Sequence, residues 1–255
     1  MRPYLSGVCR KGDETSPMKS VADLKVKLFA DGAEKKSMLE LYANPAIRGF
    51  TTNPTLMRKA NIADYEAFAH DILAAIPDRP ISFEVFADEF DEMERQARLI
   101  NTWGPNVYVK IPVTNTKRES ACALIHKLSH ADIKINVTAI LTLDQVCAVT
   151  AALADGAASN VSVFAGRIAD TGVDPVPIMA QAVRMLQPHP QIELIWASPR
   201  ELLNVFQADA VGCHIITATP DVLKKLALVG KDLTEYSLET VQMFAGDAAK
   251  SGFML

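Results

Sequence analysis

The stretch VYVKIPVT, residues 107–114, decides the fold. It is β-branched at Val107, Val109, Ile111, Val113 and Thr114, adds Tyr108 and Pro112, and carries a single charge, Lys110. A strand with one face in water alternates apolar and polar residues. A strand covered on both faces does not, and double cover is the signature of a parallel sheet beneath helices. The same grammar recurs on either side. Upstream lie KVKLFADG (25–32), GFTTN (49–53) and ISFEVFA (81–87). Downstream lie IKINVTAIL (133–141), NVSVFAGRI (160–168), IELIWAS (192–198) and CHIITAT (213–219). The eight runs begin at 25, 49, 81, 107, 133, 160, 192 and 213, so they are 21 to 32 residues apart, enough for a helical crossover between parallel neighbours.

Helical patterns fill the gaps. Asp88–Trp103 is rich in Glu and Arg, and Thr116–Ala131 is a second candidate. Thr142 with Gln145 makes a capping box, and Asp174-Pro175, Ser198-Pro199 and Thr219-Pro220 each place proline at a first helical position. An amphipathic stretch, Leu233–Lys250, follows the eighth unit. Eight strand–helix units predict an α/β chain of one domain over residues 18–255, a (β/α)₈ TIM barrel with an additional C-terminal helix. An open doubly wound sheet is the alternative, but ADGAEKK after the first strand is not the Gly-rich turn it would need.

Composition removes other classes. The 255 residues are 49% hydrophobic and 22% charged, with 26 Lys+Arg against 30 Asp+Glu for a net charge of -4. That is globular and mildly acidic, without the basic block of a nucleic-acid binder. No stretch approaches a membrane span. Residues 1–17 are polar, lack an apolar signal core, and are expected to be a flexible extension or an overlong start. Cys9, Cys122, Cys147 and Cys213 form no CxxC pair, as expected of a reducing, cytoplasmic setting. Asn136 and Asn160 head N-x-[ST] triplets inside apolar runs and are expected to be buried strand residues. The five histidines supply no strand-end cluster for a metal, and His126 and His130 fit a solvated helical face.

In such a barrel the active site is built at the C-terminal strand ends. Asp31 ends the first run, Thr51, Thr52 and Asn53 end the second, and Glu84 and Lys110 lie within the third and fourth. The fifth holds Asn136 and Thr138, the sixth Ser162 and Arg167, the seventh Ser198 with Arg200 just beyond, and the eighth Thr217 and Thr219. Lys110, between Val109 and Ile111, has two readings that local sequence leaves level: a strand-end lysine paired with Glu84, or a Schiff-base nucleophile. A free lysine is only about 0.04% unprotonated at pH 7, and lowering its pKa to about 8 by desolvation would raise that to about 10%. Glu84 is either an ion-pair partner or, with Thr138, the holder of a water for proton relay. Asp31 before Gly32 reads as turn chemistry alone, and as a base once Lys110 shares its barrel mouth. Arg167, Ser198 and Arg200 are surface groups taken singly and a phosphate site taken together, with the helix expected after Ser198 adding positive potential.

In order, KLFADGA, GFTTNPTL, ISFEVFAD, VYVKIPVTN, INVTAIL, SVFAGRIADTG and WASPRE carry a resemblance that spans residues 25–255. The chain resembles the transaldolase family, metal-independent enzymes of carbohydrate metabolism and the pentose phosphate pathway on this barrel. The resemblance implies that Lys110 forms the Schiff base, that Asp31 is the acid/base at the C4 hydroxyl, and that Glu84 and Thr138 hold the catalytic water. It implies that Asn53, Asn136 and Ser162 bind the dihydroxyacetone hydroxyls and the carbinolamine, that Thr52 and Phe164 are also substrate-binding, and that Arg167, Ser198 and Arg200 bind the substrate phosphate. It further implies sugar phosphates as the small-molecule partners, no nucleic acid, no membrane, no cofactor or metal, and a homo-oligomer. Related fructose-6-phosphate aldolases have Gln where this chain has Glu84 and Tyr where it has Phe164, so both positions resemble the transferase. Pro199 is a departure from that pattern that leaves donor and acceptor preference open. Release of free dihydroxyacetone is the alternative activity, and a phosphosugar-binding barrel without catalysis is the non-enzymatic one.

Overall fold

The computed structural model describes residues 20–252, so the expected extension over residues 1–17 lies outside the described residues. All eight expected strands form, and they close into one parallel barrel in sequence order. They are β1 (Lys27–Asp31), β2 (Ile47–Thr51), β3 (Ile81–Glu84), β4 (Val107–Pro112), β5 (Ile135–Ile140), β6 (Ser159–Val163), β7 (Ile192–Trp196) and β8 (Ile215–Ala218). The described residues divide into two units, a barrel unit of Lys25–Leu226 and a second unit of residues 20–24 with 227–252.

The barrel's helices are α1 (Lys35–Tyr42), α2 (Pro54–Lys59), α3 (Tyr65–Ala75), α4 (Phe90–Asn101), α5 (Cys122–Ser129) and α6 (Leu143–Leu153). After them come α7 (Ala165–Ala169), α8 (Pro175–Leu186), α9 (Leu203–Ala210) and α10 (Pro220–Lys224). In the second unit, α11 (Leu233–Ser251) starts at Asp232, whose carboxylate accepts from Thr234 N and Glu235 N. Leu238, Val241 and Phe244 on α11 are exposed. None of the described helices is long and apolar enough to cross a membrane.

Several helix starts follow the sequence closely. Thr142 accepts from Gln145 N while the Gln145 side chain accepts from Thr142 N, the reciprocal pair of a capping box. Asp174 caps α8 with Pro175 in its first turn, and Pro220 opens α10. Three expectations are corrected. The helix expected from Thr116 begins at Cys122, because the Asn115 side chain folds 115–119 into a loop, accepting from Lys117 N and Glu119 N. The helix expected at Ser198-Pro199 begins at Leu203, because Ser198 takes a φ of 60° that no right-handed helix tolerates. The sixth run stops being a strand at Val163, and α7 follows, so Arg167 sits on a helix instead of a strand end.

The double cover inferred from VYVKIPVT is real. The outward side chains Phe50, Phe83, Val109, Ile111, Val137, Val161, Leu194 and Trp196 have no solvent exposure. Burying each such side chain contributes about 1.5–3 kcal/mol. Inside the barrel, Phe29, Ile195, Ala197 and Ile215 form a buried plug with Phe164 packed against it. Gly49 makes room for the plug: a Cβ there would lie 2.5 Å from Cζ of Phe29. Two cavities lie at the ends of the barrel, one lined by Lys27, Phe29 and Glu193, the other by Asp31, Lys110 and Phe164. Asn136 and Asn160 are buried strand residues, as expected.

Candidate active site

The cavity at the C-terminal ends of the strands has a volume of about 310 Å³. Ten of the twelve expected site residues line it: Asp31, Asn53, Glu84, Lys110, Asn136, Thr138, Ser162, Phe164, Arg167 and Ser198. Strand periodicity gathers Asp31, Glu84, Lys110, Asn136, Thr138 and Ser162, because alternate residues of each strand face inward, while Asn53, Phe164, Arg167 and Ser198 come from the segments just beyond the strand ends. Register does the rest, pairing Glu84 with Lys110 and Lys110 with Asn136.

Lys110 lies at the centre and is 7% exposed. Its Nζ donates to the Thr52 carbonyl at 2.5 Å and stands 3.4 Å from Oε2 of Glu84. On the far side, Thr138 Oγ1 lies 3.5 Å from Oε1 of Glu84, at the edge of hydrogen-bonding distance. A shift of register in β5 between Val137 and Ile140 accompanies a φ of 60° at Ala139, next to Thr138. Ala139 and Ser198 both line the cavity with left-handed backbone, a conformation that non-glycine residues hold only when the surroundings impose it.

Asp31 accepts from Thr51 Oγ1 at 2.7 Å and from Asn53 Nδ2 at 3.4 Å. Thr51 Oγ1 is also 2.6 Å from Thr217 Oγ1. Burial raises the Asp31 carboxyl above the usual carboxylate range, against the opposing pull of the Lys110 ammonium. Asn53 also caps α2, its Oδ1 accepting from Leu56 N. Asn136, fully buried, donates to Ser82 Oγ at 3.0 Å and accepts from Ser162 Oγ at 2.7 Å. Phe164 closes one wall, with the Arg167 guanidinium 5.8 Å from its ring centre.

Two expected residues are placed elsewhere. Thr52 points away from the cavity and donates its hydroxyl to Ser82 O. Its contribution is the backbone carbonyl that receives Lys110. Arg200 does not line the cavity and forms a bidentate pair with Asp170, through Nε at 2.9 Å and through Nη2. That guanidinium holds the Asp170 carboxyl below the usual range. Arg200 N donates to Asn204 Oδ1, so no run of helical amides opens at Ser198. Gly166 brings α7 against the β7 exit, since a Cβ there would lie 1.6 Å from Ser198 O. Thr51, Ser82 and Thr217 are additions to the expected set. The alternation that puts Asp31 inward also puts its register partner Thr51 inward and Thr52 outward, which was the available clue. His126 and His130 stack on the exposed side of α5, ring centres 3.9 Å apart.

Comparison with known proteins shows the family. Residues 28–255 match the family described as Transaldolase/Fructose-6-phosphate aldolase. A probable transaldolase of Dehalococcoides mccartyi is 34% identical over 202 residues, covering 79% of this chain and 90% of that protein. A probable transaldolase of Mesorhizobium japonicum is 35% identical over 230 residues, covering 89% and 98%. Among solved structures, dihydrodipicolinate synthase from Rhodopseudomonas palustris aligns with a TM-score of 0.55 at 15% identity, over 88% of this chain and 81% of that one, a likeness of fold alone. The chain therefore belongs to the transaldolase/fructose-6-phosphate aldolase family and is an enzyme of the transaldolase/aldolase type.

Proposed function

We propose that the protein is a transaldolase that moves a dihydroxyacetone unit from a ketose phosphate, fructose 6-phosphate or sedoheptulose 7-phosphate, to an aldose phosphate. The observation that carries this is Lys110, buried at the floor of the cavity with Glu84 and Asp31 beside it. Uncharged Lys110 Nζ attacks the C2 ketone to give a carbinolamine. Loss of water through Glu84 and Thr138 gives an iminium, the electron sink of the reaction. Asp31 takes the C4 hydroxyl proton, for which its raised pKa suits it. The C3–C4 bond breaks, its electrons flow to the iminium nitrogen as an enamine, and the shorter aldose phosphate leaves. The enamine carbon then adds to the aldehyde of a second aldose phosphate, Asp31 returns the proton to the new alkoxide, and water releases the ketose.

In this scheme Asn53, Asn136 and Ser162 meet the hydroxyls of the three-carbon unit, and Arg167 and Ser198 meet the phosphate, with Arg200 turning toward it from Asp170. The chemistry needs no metal, because the iminium does the polarising. Phe164 favours transfer over release: it offers no hydroxyl to deliver a proton to the enamine, which then persists until an aldehyde arrives. The exposed apolar residues of α11 support the expectation of a homo-oligomer. Borohydride reduction with fructose 6-phosphate present tests the scheme: a dihydroxyacetone-sized adduct on Lys110 is expected, and an unmodified Lys110 refutes it. Free dihydroxyacetone accumulating without an acceptor would favour the aldolase reading.

A further inference from the structure

The β2–β3 ladder is broken at the residue that matters most. Phe50 N donates to Pro80 O and Thr52 N to Ser82 O, a regular step of two along parallel strands. The next step would pair Glu84 N–H with Thr52 O, and residue 54 N–H with Glu84 O. Neither bond forms. Thr52 O receives Lys110 Nζ at 2.5 Å, and residue 54 is a proline without an N–H. One side chain fills both vacancies. The Tyr65 hydroxyl accepts from Glu84 N at 2.7 Å and donates to Glu84 O at 3.1 Å. Tyr65 is the first residue of α3, set by the Asp64 cap, whose carboxylate accepts from Ala67 N. Its ring is wedged among Phe83, Phe86 and Trp103, at centre distances of 6.1, 4.6 and 5.3 Å. Burial holds the phenol well above its ordinary pKa, so it remains a donor at any working pH.

We propose that Tyr65 is a positioning residue that substitutes for the missing β2 ladder, holding Glu84 in register while leaving the Thr52 carbonyl free for Lys110. The inference rests on Glu84 acting on the reacting water. Without the hydroxyl, the Glu84 N–H competes with Lys110 for Thr52 O, so the amine and the carboxylate shift together. A misplacement of about 1 Å at such groups lowers turnover by as much as about 100-fold.

The test compares Tyr65→Phe, Trp103→Phe and Glu84→Ala in the full chain. Tyr65→Phe is expected to lower kcat by about 10- to 100-fold with KM unchanged and to displace the half-maximal points of the kcat–pH profile. Trp103→Phe loosens the same aromatic cluster without touching the hydroxyl, and is expected to lower Tm while keeping kcat and the profile. A Tyr65→Phe protein with parental kcat and profile, alongside an inactive Glu84→Ala, overturns the proposal and leaves the role of Glu84 standing. A fully active Glu84→Ala overturns both. Should Tyr65→Phe not fold, a tetrafluorinated tyrosine installed at position 65 keeps the ring's shape and ionises several pH units lower. Its kcat is then expected to fall as pH rises above neutral; a profile identical to the parent's overturns the proposal.

Discussion

The two ends of the barrel hold the same pair of residue types in opposite circumstances. At the N-terminal end, Lys27 Nζ meets both carboxylate oxygens of Glu193, at 2.6 and 2.8 Å, with the side chains 43% and 30% exposed. At the C-terminal end, Lys110 is nearly buried, and its glutamate stands back at 3.4 Å while a neutral carbonyl takes the closer contact. The first lysine is engaged by both oxygens of its carboxylate, whereas the second is held mainly by a carbonyl and faces the cavity. The Phe29 plug lies between the two cavities, and its interior neighbours on β1, Lys27 and Asp31, line opposite ends.

The largest effect expected from this contrast is on turnover. Lys110→Ala should remove transfer activity by more than about 10⁴-fold, along with borohydride-trapped adduct. Lys27→Ala should leave kcat within about twofold and reduce stability by about 1 kcal/mol or less, the range of exposed ion pairs. Steady-state kinetics and denaturant melts of the two variants give the comparison directly. A Lys27→Ala protein as inactive as Lys110→Ala would abolish the distinction between the ends.

Asp31 sharpens the contrast through pH. Asp31→Asn should lower kcat by about 10²- to 10⁴-fold, the span of general acid–base catalysis. Its effect on stability has the opposite sign. The folded-state pKa of Asp31 is raised above the free value of 3.8, so below 3.8 the carboxyl is protonated in both states and contributes nothing. As pH climbs from 3.8 to the raised value, the unfolded chain gives up this proton while the folded chain keeps it, so stability falls, and above the raised value the dependence is flat. The variant is therefore expected to melt at a higher temperature than the parent at pH 7–8 and at the same temperature near pH 3.5.

Much of this was legible in sequence, and the failures have physical reasons. Strands covered on both faces advertise themselves as unbroken apolar runs, so all eight appeared, and their inward alternation delivered Asp31, Glu84, Lys110, Asn136 and Ser162 to one mouth. Parity was lost at strand ends, where Thr52 was expected in the site and Thr51 is found there. Ser198-Pro199 looks like a helix start because proline suits a first turn, but the crossing of α7 over Ser198, which only Gly166 permits, fixes a left-handed serine instead. Tyr65 left no local trace, because its function depends on Pro54 and Lys110 at once. Arg200, expected at the cavity, pairs instead with Asp170, which reaches it only through the fold.

That pairing separates the two arginines proposed for the phosphate by a smaller margin. Arg167 lines the cavity, whereas Arg200 is already satisfied by Asp170. Arg167→Ala should raise KM for fructose 6-phosphate by about 10- to 100-fold, as expected for a charge-assisted hydrogen bond worth about 1.5–3 kcal/mol. Arg200→Ala should raise it less, because part of the guanidinium's interaction with phosphate goes to displacing Asp170. Equal KM increases would mean that the Asp170 pair dissolves without penalty when phosphate arrives.

The smallest effect belongs to the N-terminal end. His214 Nδ1 accepts from Leu194 N at 3.0 Å, and burial holds its pKa below the ordinary 6.5. An imidazole accepting there is neutral, and protonation would turn the acceptor into a donor facing an N–H. Between the lowered folded value and 6.5, the unfolded chain binds the proton and the folded chain does not. Stability therefore falls as pH drops from 6.5, and His214 leaves it flat above. Asn at this position can keep an acceptor toward Leu194 N and cannot titrate, so His214→Asn should flatten the acid side of the Tm–pH curve by about 1–3 °C. The two ends are then distinguished by the sign of their pH dependence: Asp31 destabilises the fold as pH rises and His214 as it falls. A double variant, Asp31→Asn with His214→Asn, should show both changes added, because the groups occupy opposite ends of the barrel and share no partner.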